Sequence, residues 1–370
     1  METPLNFGPQ HPSTHGVLHL NMVIDAEIVK SVDPDVGLIH RGLEKIAENR
    51  MYFKFTPIAN KIDYVAAAAW EFNYIGCVEK LLGMTVPPRA TWARMIILEV
   101  QRIISHVFWM GTLSMDLGQP TVFVWAMRER ERLLDIFEDI MGGRMTYGWM
   151  IIGGLRDDIT PEQIQRIALE LYHLEKVLPE YFDLLEKNSL FCERMIGVGI
   201  ITRQMATDYG LTGPSARASG VLYDVRKDDP YLAYKDVQFN VPTRTAGDCY
   251  ARYEVRRDEI MQSISIVRQA IAQLPDGPYR AVNAMTLRPP LALSMRTPKN
   301  GEAFLRTECP RGEGAIFLLS DGSNFPYRCK IRGPSFNNLS LLSELCKNQS
   351  IPDVVAIIAT LDPVFGECDR

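Results

Sequence analysis

Gly8-Pro9-Gln10-His11-Pro12-Ser13-Thr14-His15-Gly16 sets two histidines four residues apart between prolines and glycines. Such a run is a fixed turn, because proline lacks a backbone donor and glycine takes the sharp corners. Pro12 biases His11 toward an extended backbone. Gly16 then turns the chain into Val17-Leu18-His19-Leu20-Asn21-Met22-Val23, whose alternation reads as a strand. After a turn at Asp25-Ala26, Glu27-Ile28-Val29-Lys30-Ser31-Val32 returns, which predicts an N-terminal β-hairpin over residues 16–33. The loop offers imidazoles at the mouth of a sheet. The plain alternative is a histidine that only stabilises its own turn, and the rest of the chain decides between them.

Outward from this loop the pattern turns helical. A short helical stretch begins at His40, and an Ala-rich helix is expected from Asp63 to Leu82 with Tyr64 at its head. Pro87-Pro88 separate it from the longest helical pattern, Arg89 to Leu117. One face there is apolar (Ile96, Val100, Ile104, Val107 and Phe108 among others), while Arg102, Ser105, Trp109, Thr112 and Asp116 line up along another. That stripe is either a solvated face or the wall of a space into which Asp116 points; Trp109 argues against full solvation. Pro120 opens a helix to Met141, whose Arg128-Glu129-Arg130-Glu131-Arg132 run reads as a paired surface without chemistry. Thr160-Pro161-Glu162-Gln163 is a capping box for a helix through Leu185, and Gly247-Asp248 start another that ends at Leu274. Leu211 to Gly220 reads as a loop, and the Pro-containing stretch to Glu302 as a surface connection. Gly314–Ser320 and Tyr327–Arg332 read as a β-hairpin, followed by a helix from Val354 to Thr360. The fold class is therefore α+β, mainly α: one domain over 1–370, with a helical core at 40–275 and a β/α part at 303–370.

Composition narrows the function. With 40 basic and 45 acidic residues the net charge is −5, and no Lys/Arg-rich block suggests nucleic acid. No apolar run approaches the roughly 18 residues of a membrane span, and no secretory signal opens the chain, so any membrane contact is expected through partner subunits. The seven cysteines are scattered without a CxxC pair, which argues against a disulfide framework and against a metal held by this chain. A GxSxG elbow, a P-loop and a GxGxxG fingerprint are all absent. What remains is a loop imidazole, a tyrosine and a carboxylate. An imidazole and a phenol are suitable neutral donors to two carbonyl oxygens, and a carboxylate behind the imidazole fixes its tautomer. The set suits a quinone-like diketone, although sequence spacing alone does not bring the three together.

Gly8–Gly16, His40-Arg41-Gly42 with Glu44-Lys45, Asp63-Tyr64-Val65, Val86-Pro87-Pro88-Arg89-Ala90, Asp116-Leu117-Gly118, Ser320-Asp321-Gly322 and Val364-Phe365-Gly366-Glu367 with Asp369-Arg370 occur in this order. Together they resemble, over the whole chain, the family of D subunits of NADH-quinone oxidoreductase (respiratory complex I). The resemblance implies the fold of the large subunit of nickel–iron hydrogenases, without its metal, since the C-terminal stretch Asp362–Glu367 carries no CxxC. It implies that the vacated cavity is the quinone head-group site, shared with the B subunit, whose terminal [4Fe-4S] cluster supplies electrons. By motif, His15 and Tyr64 hold the quinone, Asp116 pairs with the histidine, Thr112 lies one turn earlier, Val364 contacts the ligand, and His11 shapes the loop beside it. The reaction implied is reduction of quinone to quinol, coupled to proton translocation by the membrane arm. The implied partners are the B, C and I subunits of complex I and its membrane-embedded H subunit, on the cytoplasmic side of the bacterial inner membrane.

Departures from the family pattern leave alternatives open. Lys61 and Ile151 stand where the family has arginines near the terminal cluster, and Phe325 where a basic residue is common. A related ferredoxin- or deazaflavin-driven complex, or a divergent scaffold subunit, would keep the fold with a different donor or none. An active hydrogenase subunit needs four cysteine ligands, which the chain does not offer.

Overall fold

The computed structural model describes residues 2–282 and 297–370, so part of the expected Pro-containing connection, with Pro289 and Pro290, lies outside the described residues. The N-terminal hairpin is two strands of a three-stranded antiparallel sheet. His19–Asp25 is central, with Ile28–Asp35 on one side and Glu2–Phe7 on the other. The added strand gave little sequence signal because it is short and only Leu5 and Phe7, on one face, are partly buried against the core. In the central strand Leu20 and Met22 are buried and bind the sheet to the core.

The helical body consists chiefly of Ala67–Leu82, Pro88–Asp116, Pro120–Met141, Pro161–Glu186 and Cys249–Gln273. Three of these begin with proline, whose fixed φ suits the first helical position and whose missing N–H costs nothing there. The expected capping box holds: Thr160 accepts from the Gln163 N–H while Gln163 reaches back to Thr160 N–H.

Two expectations are corrected. The Ala-rich helix starts at Ala67, not Asp63, because the Asp63 carboxylate accepts the Val65 and Ala66 N–H groups at 2.9 and 3.0 Å and bends the chain before the first turn. Tyr64 therefore sits in the connection ahead of the helix. The 211–220 segment contains a buried helix, Gly213–Ala218. Its turn-former composition has a packing cause: Gly213 has φ +70°, and a Cβ there would fall 2.4 Å from Gly312 Cα.

The C-terminal sheet also has three strands, Lys299–Cys309, Gly312–Asp321 and Arg328–Arg332, so its first strand begins inside the stretch expected to be a connection. Cys309 pairs with Gly312, which leaves Pro310 and Arg311 at the hairpin turn and sends Arg311 into the interior, 1% exposed. The helix Ile351–Leu361 and the short helix Phe365–Asp369 follow, and the tail is buried almost to its end. One hydrophobic cluster joins Leu18 of the N-terminal region, Trp70, Trp109, Trp149, Ile316 and Phe365. The chain's two ends thus pack on the same helices.

Candidate functional site

The organising loop is held by its own polar atoms. Pro12–Thr14 forms a single 3-10 turn, and the Thr14 hydroxyl lies 2.7 and 2.8 Å from the carbonyls of His11 and Gly16. The turn leaves His15 in the left-handed region at φ 56°, a conformation that costs a non-glycine residue about 1 kcal/mol. Gly16 beside it packs on the tail: a Cβ there would lie 2.5 Å from the Phe365 ring. The tail therefore supports the loop that carries His15.

His15 Nε2 is hydrogen-bonded to Asp116 Oδ2 in a close contact, and the two side chains are 13% and 11% exposed. Asp116 is the last residue of the Pro88–Asp116 helix, 101 positions away in sequence. Tyr64 lines the same cavity, of about 330 Å3, together with Thr112 and Val364. Phe108, Met115, Phe123 and Met145 give the cavity an apolar wall. Tyr64 is 36% exposed at the opening, and among the described residues its hydroxyl has no partner. Burial of the ring and the neighbouring Asp63 carboxylate push its phenol above the usual value, so it is a protonated donor at neutral pH.

His11 is the expected site residue that does not line this cavity. Its ring lies 4.2 Å from that of Phe7, and its Nδ1 accepts the Ser13 N–H at 3.2 Å, which is the turn-stabilising role. The polar stripe is not a solvated face: Arg102, Ser105 and Trp109 are 2% exposed or less.

Three charged wall residues escaped the sequence reading, as did the apolar wall itself. Arg130, set aside within a paired charge run, lines the cavity with its guanidinium 5.0 Å from the Phe108 ring. Its helical spacing from Phe123, two turns earlier, is the signal that could have found it. Arg311 and Asp362 form the cavity's inner end and are ion-paired at 3.2 Å. Neither belongs to a local motif that marks it as buried.

Among the described residues no three His, Cys, Asp or Glu side chains converge as metal ligands, and no helix is long and apolar enough to cross a membrane. The cavity instead joins one imidazole–carboxylate pair and one phenol to an apolar wall. It can hold a flat, largely apolar molecule and donate to its oxygens.

Residues 116–370 match the family described as "Respiratory-chain NADH dehydrogenase, 49 Kd subunit". This chain belongs to that family. It is 43% identical to the NADH-quinone oxidoreductase subunit 4 of Thermus thermophilus, over 99% of this chain and 93% of that one. It is 42% identical to the D subunit of the NADH-quinone oxidoreductase of Geobacillus thermodenitrificans, over 100% and 98%. Identity is also 42% with the corresponding D 1 subunit of Opitutus terrae, over 99% and 90%. The 49-kDa family membership gives the chain a place in a multisubunit oxidoreductase, and the cavity lies within that frame.

Proposed function

We propose that the cavity is the quinone head-group site of a proton-translocating NADH-quinone oxidoreductase, where quinone is reduced to quinol. The observation that carries this reading is the apolar cavity whose polar donors are His15, backed by Asp116, and Tyr64. His15 donates to one quinone oxygen and Tyr64 to the other. The Asp116 carboxylate holds the His15 ring in place. As electrons arrive, the two donors release protons to oxygens that have become basic. Val364 and Thr112 bound the ring within the 330 Å3 space.

In this reading the electrons come from a [4Fe-4S] cluster in the B subunit, while the C and I subunits and the membrane-embedded H subunit complete the surroundings. The chain sits in the peripheral arm on the cytoplasmic face of the bacterial membrane, and translocation occurs in the membrane arm. A second reading keeps the same site in a complex with a different electron donor; Lys61 and Ile151, in place of the family's arginines, bear on the setting of the terminal cluster and leave a divergent scaffold subunit as a further alternative.

The test is made in the assembled complex. His15→Ala and Tyr64→Phe are each expected to lower quinone reduction by on the order of ten-fold or more, while NADH still reduces the clusters and ferricyanide. Unchanged quinone turnover in both variants would remove this cavity from the reaction. Failure of NADH to reduce the wild-type clusters, with ferredoxin or deazaflavin succeeding, would select the second reading.

A further inference from the structure

Behind the cavity three carboxylates share too few cations. Arg311 Nη1 donates to Asp63 at 3.2 Å and to the Ser105 hydroxyl at 2.6 Å, and its Nε faces Asp362 at 3.2 Å. Arg256 reaches the same Asp362 oxygen at 3.3 Å. Glu367, 0% exposed, accepts from Trp70 Nε1 at 3.2 Å and from the Ser335 N–H at 3.0 Å, and also from the Ser335 hydroxyl. That hydroxyl in turn accepts the N–H of Val364, a cavity residue, at 3.1 Å.

The other groups around Glu367 do not add positive charge at its carboxyl. From the strand side Cys309 is a thiol pushed up by burial, and in the tail Cys368 is likewise neutral. Asp369 is bound by the N–H groups of Gly37 and Ile39 at 2.8 and 2.9 Å, and Arg370 is turned to the Ile331 carbonyl. Arg41 is spent on the Lys61 carbonyl at 2.9 Å. Among the described residues the interior balance is therefore three carboxyls, Asp63, Asp362 and Glu367, against two guanidinium groups, Arg256 and Arg311. A fully ionised cluster leaves one uncompensated buried charge, which the low-dielectric interior disfavours strongly.

We propose that this cluster holds one exchangeable proton and is the internal store from which the cavity's donor is recharged. The inference rests on the quinone reading above and deepens it. When Tyr64 has given its proton to a quinone oxygen, an O–H bond of the cluster breaks and the phenolate's O–H bond forms again. The fully ionised cluster left behind carries one more carboxylate than Arg256 and Arg311 compensate, so it takes a proton back from solvent. Asp362 connects the two spaces, since it faces Arg311 inside and lines the cavity outside. The electrons belong to the reductase reaction, so the store supplies only a proton. Burial, and next the Asp63 charge, push the Glu367 carboxyl up to about 7, which suits a proton that leaves and returns near neutral pH. Glu367 is a positioning and proton-holding residue, since it does not touch the cavity itself.

The test uses Glu367→Gln and Asp63→Asn in the assembled complex, with quinone reduction followed as a function of pH. The wild type is expected to lose activity as pH rises through the neutral range, where the stored proton is lost. Glu367→Gln removes the carboxyl that takes up and releases the proton, so none is exchanged. It is expected to lower turnover roughly ten-fold or more and to flatten that alkaline limb. Asp63→Asn removes the repulsion that keeps the proton in place, so the limb is expected to move to lower pH. Infrared difference spectra of oxidised and reduced complex should show a protonated-carboxyl band that Glu367→Gln removes. Wild-type turnover and an unmoved limb in both variants, or a band that persists in Glu367→Gln, would overturn the store. His15→Ala and Tyr64→Phe with unchanged turnover would overturn the quinone reading instead, and the band test does not depend on that outcome.

Discussion

Asp116 ends a helix of 29 residues, and its carboxylate meets an imidazole from a loop 101 positions earlier. A neutral amide in its place keeps a hydrogen bond to His15 but removes the negative charge beside the ring. Asp116→Asn is therefore expected to leave assembly intact and to slow quinone reduction several-fold, read as turnover per complex on native gels. Loss of assembly would make Asp116 a folding residue. Residue types had already marked His15, Tyr64 and Asp116, the family resemblance added Thr112 and Val364, and all five line one cavity. His11 carried the same residue type in the same loop, yet its ring went to Phe7. Two imidazoles in a rigid turn cannot face the same way, and spacing does not say which one faces inward.

At the scale of elements, the Ala67–Leu82 helix holds the short hairpin at Met150–Leu155 with two buried glutamates. Glu79 accepts the Gly153 N–H at 2.7 Å and is paired with Arg94, which also donates to the Ile151 and Gly154 carbonyls. Glu71 accepts the Met150 N–H at 2.8 Å but has no ion-pair partner in contact, and burial pushes its carboxyl up to about 8 against the pull of that N–H. A carboxyl whose folded value is raised binds more protons folded than unfolded, so its contribution to stability falls as pH rises from the unfolded value through 8. Glu71→Gln removes the titration and keeps an acceptor for Met150. It is expected to raise the thermal midpoint at pH 8 more than at pH 6, by differential melting of the complex. An equal effect at both values would mean that Glu71 is ionised in the folded chain at both. The helices themselves were legible because proline starts, glycine stops and 3.6-residue periodicity are local. The outer strands Glu2–Phe7 and Lys299–Cys309 were harder, since one has only Leu5 and Phe7 on its apolar face and the other follows a Pro-containing stretch.

Across the whole molecule, charge is buried on an unusual scale. Arg217, fully buried, donates to Glu259 at 2.6 and 2.9 Å and to Glu308 at 2.8 Å, tying the 213–218 helix to Cys249–Gln273 and to the C-terminal sheet. His106 faces the same Glu259 at 2.9 Å, and burial pushes its ring down to about 4, so it is neutral there. Removing one cation from such a network leaves carboxylates uncompensated, at a cost of about 3–5 kcal/mol. Arg217→Met is expected to reduce the amount of assembled complex at growth temperature, measured by native-gel abundance, with turnover per surviving complex little changed. Normal abundance would show that the network is not needed for the fold.

The sequence alone determined the helical body, the rigid histidine loop and the family to which the chain belongs, because each is written in local spacing or in contiguous motifs. Tertiary structure decided that Arg130 is wall rather than surface, that Arg311 turns inward from a hairpin, and that Asp63, Asp362 and Glu367 share one interior. Those facts depend on which distant segments desolvate one another, and desolvation sets the energy of a charge only after the chain has closed around it.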